Sequence, residues 1–215
     1  MSSRSFGLIS LFRPFKGCIP DRPFLGCPAL ADLENLFKTK LMAGEEHRFR
    51  HYNVSDINLV TTDLKRFLEN LREKSPRTLY ICHVTRDDLI LGFLAEHQRK
   101  KEVIELGKGD EAPFQAALVI CGRRGVYQLS KEVEDMIRCH HDAPVMTVEM
   151  STRDAMEKIH HFTPKLNIHD TSRVSVAVDH YESFIDFDEL LRRTQSSNSS
   201  FNDPSSISLE DLRRL

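Results

Sequence analysis

Residues Ala116 to Cys121 (Ala-Ala-Leu-Val-Ile-Cys) run without a polar side chain and stop at the turn Gly122-Arg123-Arg124-Gly125. Such a run cannot alternate between core and solvent, so a strand made from it must be covered on both faces. That requirement points to a sheet with helices on either side. The flanking sequence supplies them. Leu64, Phe67, Leu68 and Leu71 follow the i, i+3, i+4, i+7 rule, Asp63 complements the helix start, and Ser75-Pro76 stops the helix.

The pattern then repeats. Thr78 to Thr85 reads as a strand with Leu79, Ile81 and His83 on one face and Tyr80, Cys82 and Val84 on the other. Thr85 and Asp88 resemble a capping box that opens a helix through Leu89, Ile90, Phe93 and Leu94. A short strand is expected at Val103–Leu106, before the turn Gly107-Lys108-Gly109-Asp110. Ser130 caps a helix bearing Val133, Met136 and Ile137; Pro144 to Met150 is a strand; and Ser151 caps the helix of Ala155, Met156 and Ile159. Val174, Val176 and Val178 alternate as a last strand, followed by an amphipathic helix with Phe184, Phe187, Leu190 and Leu191. Strands separated by helices of this length predict an α/β fold: three layers, with a mostly parallel or mixed sheet flanked by helices. The expected organisation is an extended N-terminal segment (1–54), the α/β domain (55–193) and a disordered tail (194–215), since 194–208 turns to serine and asparagine.

Charge and cysteine usage narrow the function. Thirty Lys and Arg against 32 Asp and Glu give a net charge of −2, which disfavours a strongly basic nucleic-acid binder. No apolar run approaches the ~18–20 residues of a membrane helix. Five cysteines without paired spacing fit a reducing compartment better than a disulfide framework. A cytoplasmic or nuclear site is therefore expected. The alternative is mitochondrial: residues 1–20 contain no acid, carry Arg4, Arg13 and Lys16, and include Phe6, Leu8, Ile9, Leu11, Phe12 and Phe15. Pro14 and Gly17 would interrupt a helix there.

Four sets of residues are candidates for function. Arg13-Pro14-Phe15-Lys16-Gly17-Cys18 recurs as Arg22-Pro23-Phe24-Leu25-Gly26-Cys27, so Phe15 and Phe24 are candidate docking side chains. At the other end Ile207, Leu209, Leu212 and Leu215 form a short helix-like docking motif, and Ser196, three residues after Arg193, is a candidate phosphorylation site. Arg48, Arg50 and Tyr52, with Arg99, Lys100, Lys101, Arg123 and Arg124, are candidate nucleic-acid contacts, because cations interleaved with aromatics stack on bases and meet phosphates. Cys18, Cys27, His47 and His51 are candidate zinc ligands; Cys139, His140 and His141 are a further donor cluster.

The triplets His83-Val84-Thr85, His161-Phe162-Thr163 and His169-Asp170-Thr171 resemble the paired motifs of the two-histidine phosphoesterases. The resemblance implies imidazoles acting as acid and base on a phosphodiester, with the hydroxyls of Thr85, Thr163 or Thr171 holding its oxygens. The leading expectation is nonetheless a non-enzymatic regulatory protein that binds a protein partner through its termini and an α/β platform. RNA or DNA binding and a phosphoesterase activity are the alternatives. No cofactor is expected, with zinc as the exception to test.

Overall fold

The computed structural model describes residues 19–73, 77–107, 113–123, 125–126, 128–188 and 191–192. The chain divides into two units, one of residues 22–174 and one of residues 1–21 together with 175–215.

The first unit is an α/β layered fold. Its five-stranded mixed sheet has the order β1 (Leu41–Ala43), β5 (Val145–Val148), β4 (Ala117–Cys121), β3 (Leu79–His83), β2 (Ile57–Leu59). β2 to β5 are parallel and step across the sheet in chain order, while β1 pairs antiparallel with β5 at the edge. Successive right-handed crossovers in one direction place their helices on one face. Accordingly α2 (Leu64–Glu73), α3 (Asp87–Glu105) and α4 (Lys131–Cys139) share a core with Tyr80, Cys82, Leu118 and Ile120. The opposite face packs Leu79, Ile81, Val119 and Cys121 against Leu30 and Leu33 of α1 (Leu30–Phe37) and Ala155 and Ile159 of α5 (Thr152–His160). β4 is buried along its whole length, as its composition requires.

Local signals explain most boundaries. Asp63 Oδ1 accepts from the Arg66 amide at 2.9 Å, Ser130 Oγ from Val133 at 3.3 Å and Ser151 Oγ from Asp154 at 3.1 Å, so all three helices start where their caps predict. Gly44 takes φ 79° in the turn after β1, and a Cβ there would lie 2.5 Å from Pro144 Cα, so only glycine fits.

The structure corrects three local readings. Val103–Leu106 is not a strand: α3 runs on to Glu105, because the charged stretch before it is helical, with Arg99 bound to Glu96 and Gln98 to Glu102. Thr85 does not cap α3: its hydroxyl faces His83 Nδ1 at 2.8 Å, and Arg86 precedes the helix, holding Asp88. Val174 to Val178 is helical, within α6 (Thr171–Phe184). Asp170 Oδ1 accepts from the Arg173 amide at 3.1 Å, and this cap starts a helix where β-branched alternation suggested a strand. The edge strands β1 and β2, three residues each, lacked enough length to show a period. Because of β1 and α1, the sheet draws on residues ahead of position 55.

Of the second unit, the described residues are 19–21 and the stretch from 175 to 192 apart from 189–190, chiefly α6 from Ser175 onward. His180 Nε2 donates to the Pro20 carbonyl at 2.8 Å.

Candidate interaction surface

α6 carries two features that an ordinary amphipathic helix does not combine. Its start is polar and buried. Arg173 is 2% and Asp170 1% exposed. Arg173 Nη2 donates to Asp32 Oδ2 at 2.9 Å, Nη1 donates to the Lys165 carbonyl at 3.2 Å, and Nε lies 3.4 Å from Asp170 Oδ2 as an ion pair without hydrogen-bond geometry. His51 Nε2 donates to Asp170 Oδ2 at 2.7 Å. Burial by itself would push the Asp170 carboxyl up, but the bonds from His51 and the Arg173 amide outweigh it and hold it below the usual carboxylate range. The cluster joins residues 119 and 141 positions apart in sequence.

The later turns of α6 are apolar and exposed. Val178, Tyr181 and Phe184, at i, i+3 and i+6, are 45%, 42% and 49% exposed, and Phe187 and Leu191 beyond them are also exposed. The His180 ring packs edge-on to Phe184 at 5.3 Å and tilted against Tyr181 at 5.8 Å. Asp179 and Glu182 on the same helix, and Asp188 beyond it, are also exposed. Apolar side chains gathered into a stripe differ from the single exposed leucines normal on any surface.

Clefts of the first unit include the following pair. One, about 440 Å³, opens at the carboxyl ends of β4 and β5 between Met42, Val84, Leu129 and Glu149; there Arg138 is bound to Glu134 at 2.7 Å. The other, about 290 Å³, is lined by His97, Lys101, Ile104, Phe114 and Asp142. Burial pulls the His97 imidazole down from its ordinary value, Asp142 opposes this, and His47 adds to it. Burial and Arg50 likewise lower His47.

The sequence candidates are scattered by the fold. His83 ends β3 with Thr85 beside it, His161 closes α5 with Nδ1 on the Glu157 carbonyl, and His169 sits in the turn before α6. Thr163 and Thr171 are exposed, the latter as the first residue of α6. Of the proposed zinc donors, Cys27 Sγ meets the Pro23 carbonyl, His47 Nδ1 accepts from Arg50, and His51 is held by Asp170; Cys18 lies outside the described residues. Among the described residues no three histidine, cysteine or acidic side chains converge as a metal site. Most of the basic candidates have partners within the chain. Arg48 pairs with Glu34, Arg99 with Glu96 and Lys101 with Asp142; Arg50 reaches the Phe114 carbonyl; and buried Lys100 lies over the Phe114 ring. Tyr52 is buried with its hydroxyl on the Gln115 carbonyl, and burial pushes that hydroxyl up to about 12. Arg123 is exposed, and Arg124 lies outside the described residues. The half-buried Phe24 ring lies tilted against His51, centroids 4.7 Å apart, beside the cluster at the start of α6. Phe15, Ser196, Ile207, Leu209, Leu212 and Leu215 fall outside the described residues.

Sequence reading missed Asp32, Arg173, Val178 and Tyr181. The i, i+3 spacing of Val178, Tyr181 and Phe184 was the available signal, masked by the valine alternation just before it. Among the described residues no helix is long and apolar enough to cross a membrane. Compared with known proteins, the chain matches no family model, no curated protein and no solved structure. The fold class is the whole of the classification: an α/β protein.

Proposed function

We propose that this chain is a non-enzymatic interaction protein whose α6 stripe is the docking face for a protein partner. The observation that carries the reading is the exposure of Val178, Tyr181 and Phe184 on successive turns of one helix. The complementary partner surface is a helix or groove that offers apolar side chains together with lysine and arginine, because Asp179 and Glu182 are exposed on the same helix as the stripe. Fully burying three side chains of this size contributes on the order of 4–8 kcal/mol before ordering costs, which fits a regulatory contact of modest affinity.

The test compares the full chain with a Tyr181→Ser, Phe184→Ser variant. Proteins retained by the wild type are purified and mixed with each chain in a binding titration. A partner whose affinity falls at least tenfold with the variant, while thermal melting is unchanged, supports the reading. Equal binding by both chains overturns it.

A further inference from the structure

We propose that the larger cleft of the first unit, at the carboxyl ends of β4 and β5, is a binding site for an unphosphorylated nucleoside. Its described lining includes no residue of the α6 stripe. Topology opens this cleft. β2, β3 and β4 each lead to a helix on one face of the sheet, the last being α4, whose Val133 and Ile137 join the core of that face. β5 instead leads to α5, whose Ala155 and Ile159 pack on the opposite face. The chain therefore leaves the adjacent parallel strands β4 and β5 in opposite directions, and a crevice forms between their ends. Open α/β sheets bind small molecules at such a reversal. The Gly122 amide donates to the Val148 carbonyl at 3.0 Å, which fixes the two strand ends against each other. The volume, about 440 Å³, is that of a small-molecule site.

The lining selects the ligand. Half-buried Met42 and Leu129 offer apolar surface to the face of a flat ring. Polar groups of four kinds accompany them. Thr147, half-buried, lies beside Ile120 in the strand register, and Gln128 is exposed. Arg138 Nε and Nη2 both donate to Glu134 Oε1, at 3.2 and 2.7 Å, a pairing that uses neither Arg138 Nη1 nor Glu134 Oε2. Glu149 is the second carboxylate of the lining. Ionised carboxylates only accept hydrogen bonds, so they call for donors, which a ribose diol and an exocyclic amino group supply. A hydroxyl and an amide both donate and accept, which suits the edge of a base. A phosphate would bring acceptors and negative charge to the same carboxylates, so the unphosphorylated form is the better match.

Amide NMR of the isotope-labelled full chain, titrated with adenosine, guanosine or cytidine, tests the site. A Kd of about 0.1 mM is expected from the binding efficiency of drug-sized ligands. At least one nucleoside should give saturable shifts at Gly122, Leu129 and Thr147. A Glu134→Ala, Thr147→Val variant that melts like the wild type should bind it about tenfold more weakly. If that variant melts early, Glu134→Gln alone takes its place, with a loss of about threefold expected. The matching nucleoside monophosphate should bind the wild type more weakly than the nucleoside. Four results overturn the proposal: no saturable shifts with any of the three, shifts confined to other residues, unchanged affinity in the variant, or a monophosphate that binds more tightly. Tyr181→Ser, Phe184→Ser should leave nucleoside affinity unchanged, so the cleft and the docking face are judged separately.

Discussion

The sheet core and the polar cluster at the start of α6 bury side chains by opposite means. Around β4 every inward group is carbon or thiol: Leu118, Val119, Ile120 and Cys121 lie between helices on both faces, and burial pushes the Cys121 thiol up to about 12. Around Arg173 the buried groups are polar and hydrogen-bonded: Asp32 and Asp170 lie against its guanidinium, and His51 meets Asp170. Apolar burial is additive and tolerant of shape, whereas a buried ion depends on each of its partners. The difference teaches where substitutions should be most costly and which kind of residue each region rejects.

Placing a charge in the carbon region is the harshest test. Val119→Asp sets a carboxylate between β3 and β5 with no partner, a cost of several kcal/mol against a total stability of about 5–15 kcal/mol. The variant should lose its cooperative thermal transition by circular dichroism. A melt within a few degrees of wild type would show that β4 is not the centre of the sheet.

The reciprocal change puts carbon into the ionic region. Arg173→Met leaves Asp32 and Asp170 buried without their cation, so urea unfolding should show a loss of about 3–5 kcal/mol. Asp170→Asn keeps an acceptor for the Arg173 amide and should cost less. Equal losses from both would mean that the helix cap, rather than the ion cluster, carries the stability.

Acid should act on the domain through a third kind of buried group. Burial holds the His97 and His47 imidazoles below their ordinary value of 6.5, with Arg50 adding to this at His47 and His47 adding to it at His97. Below pH 6.5 the unfolded chain therefore takes up protons that the folded chain resists, and stability falls with pH from there toward the folded values. Asp170, Glu96 and Asp142 are held low, so their contribution is intact above the ordinary carboxylate range and is lost as the pH falls through that range toward the lowered folded values. Urea midpoints at pH 7.5 and 5.5 should differ, and His97→Gln should narrow the gap. A midpoint that is flat over this range in the wild type contradicts the assignment.

How much of this was legible follows from the same contrast. Apolar patterning exposed β3, β4, β5 and helices α2 to α5 because carbon burial leaves a periodic trace, as at Leu64, Phe67 and Leu71. The cluster left none: His51 meets Asp170 and Arg173 meets Asp32 only after folding, and each reads alone as an ordinary surface charge. His51 drew attention as a metal donor, and Asp170 as the middle of a histidine triplet, yet their joint role is to hold the start of α6. The stripe was half legible. Phe184, Phe187 and Leu191 looked like the buried side of an amphipathic helix, and only the fold revealed their exposure.

The smallest expected effect comes from that stripe. Val178 is 45% exposed, so Val178→Ala gives up only part of the ~1.5 kcal/mol at the lower end for burying such a side chain fully. Alanine meanwhile recovers a few tenths of a kcal/mol in helix propensity, since valine loses rotamer freedom against the preceding turn. The two terms nearly cancel, and the melting curve should stay within about 0.5 kcal/mol of wild type, as for other surface changes. The same truncation at Val133 of α4, which is buried, removes core contacts with nothing to offset them and should cost at least about 1 kcal/mol more. If Val178→Ala proves as destabilising as Val133→Ala, the stripe is part of a core, and its apolar side chains are structural rather than a surface for docking.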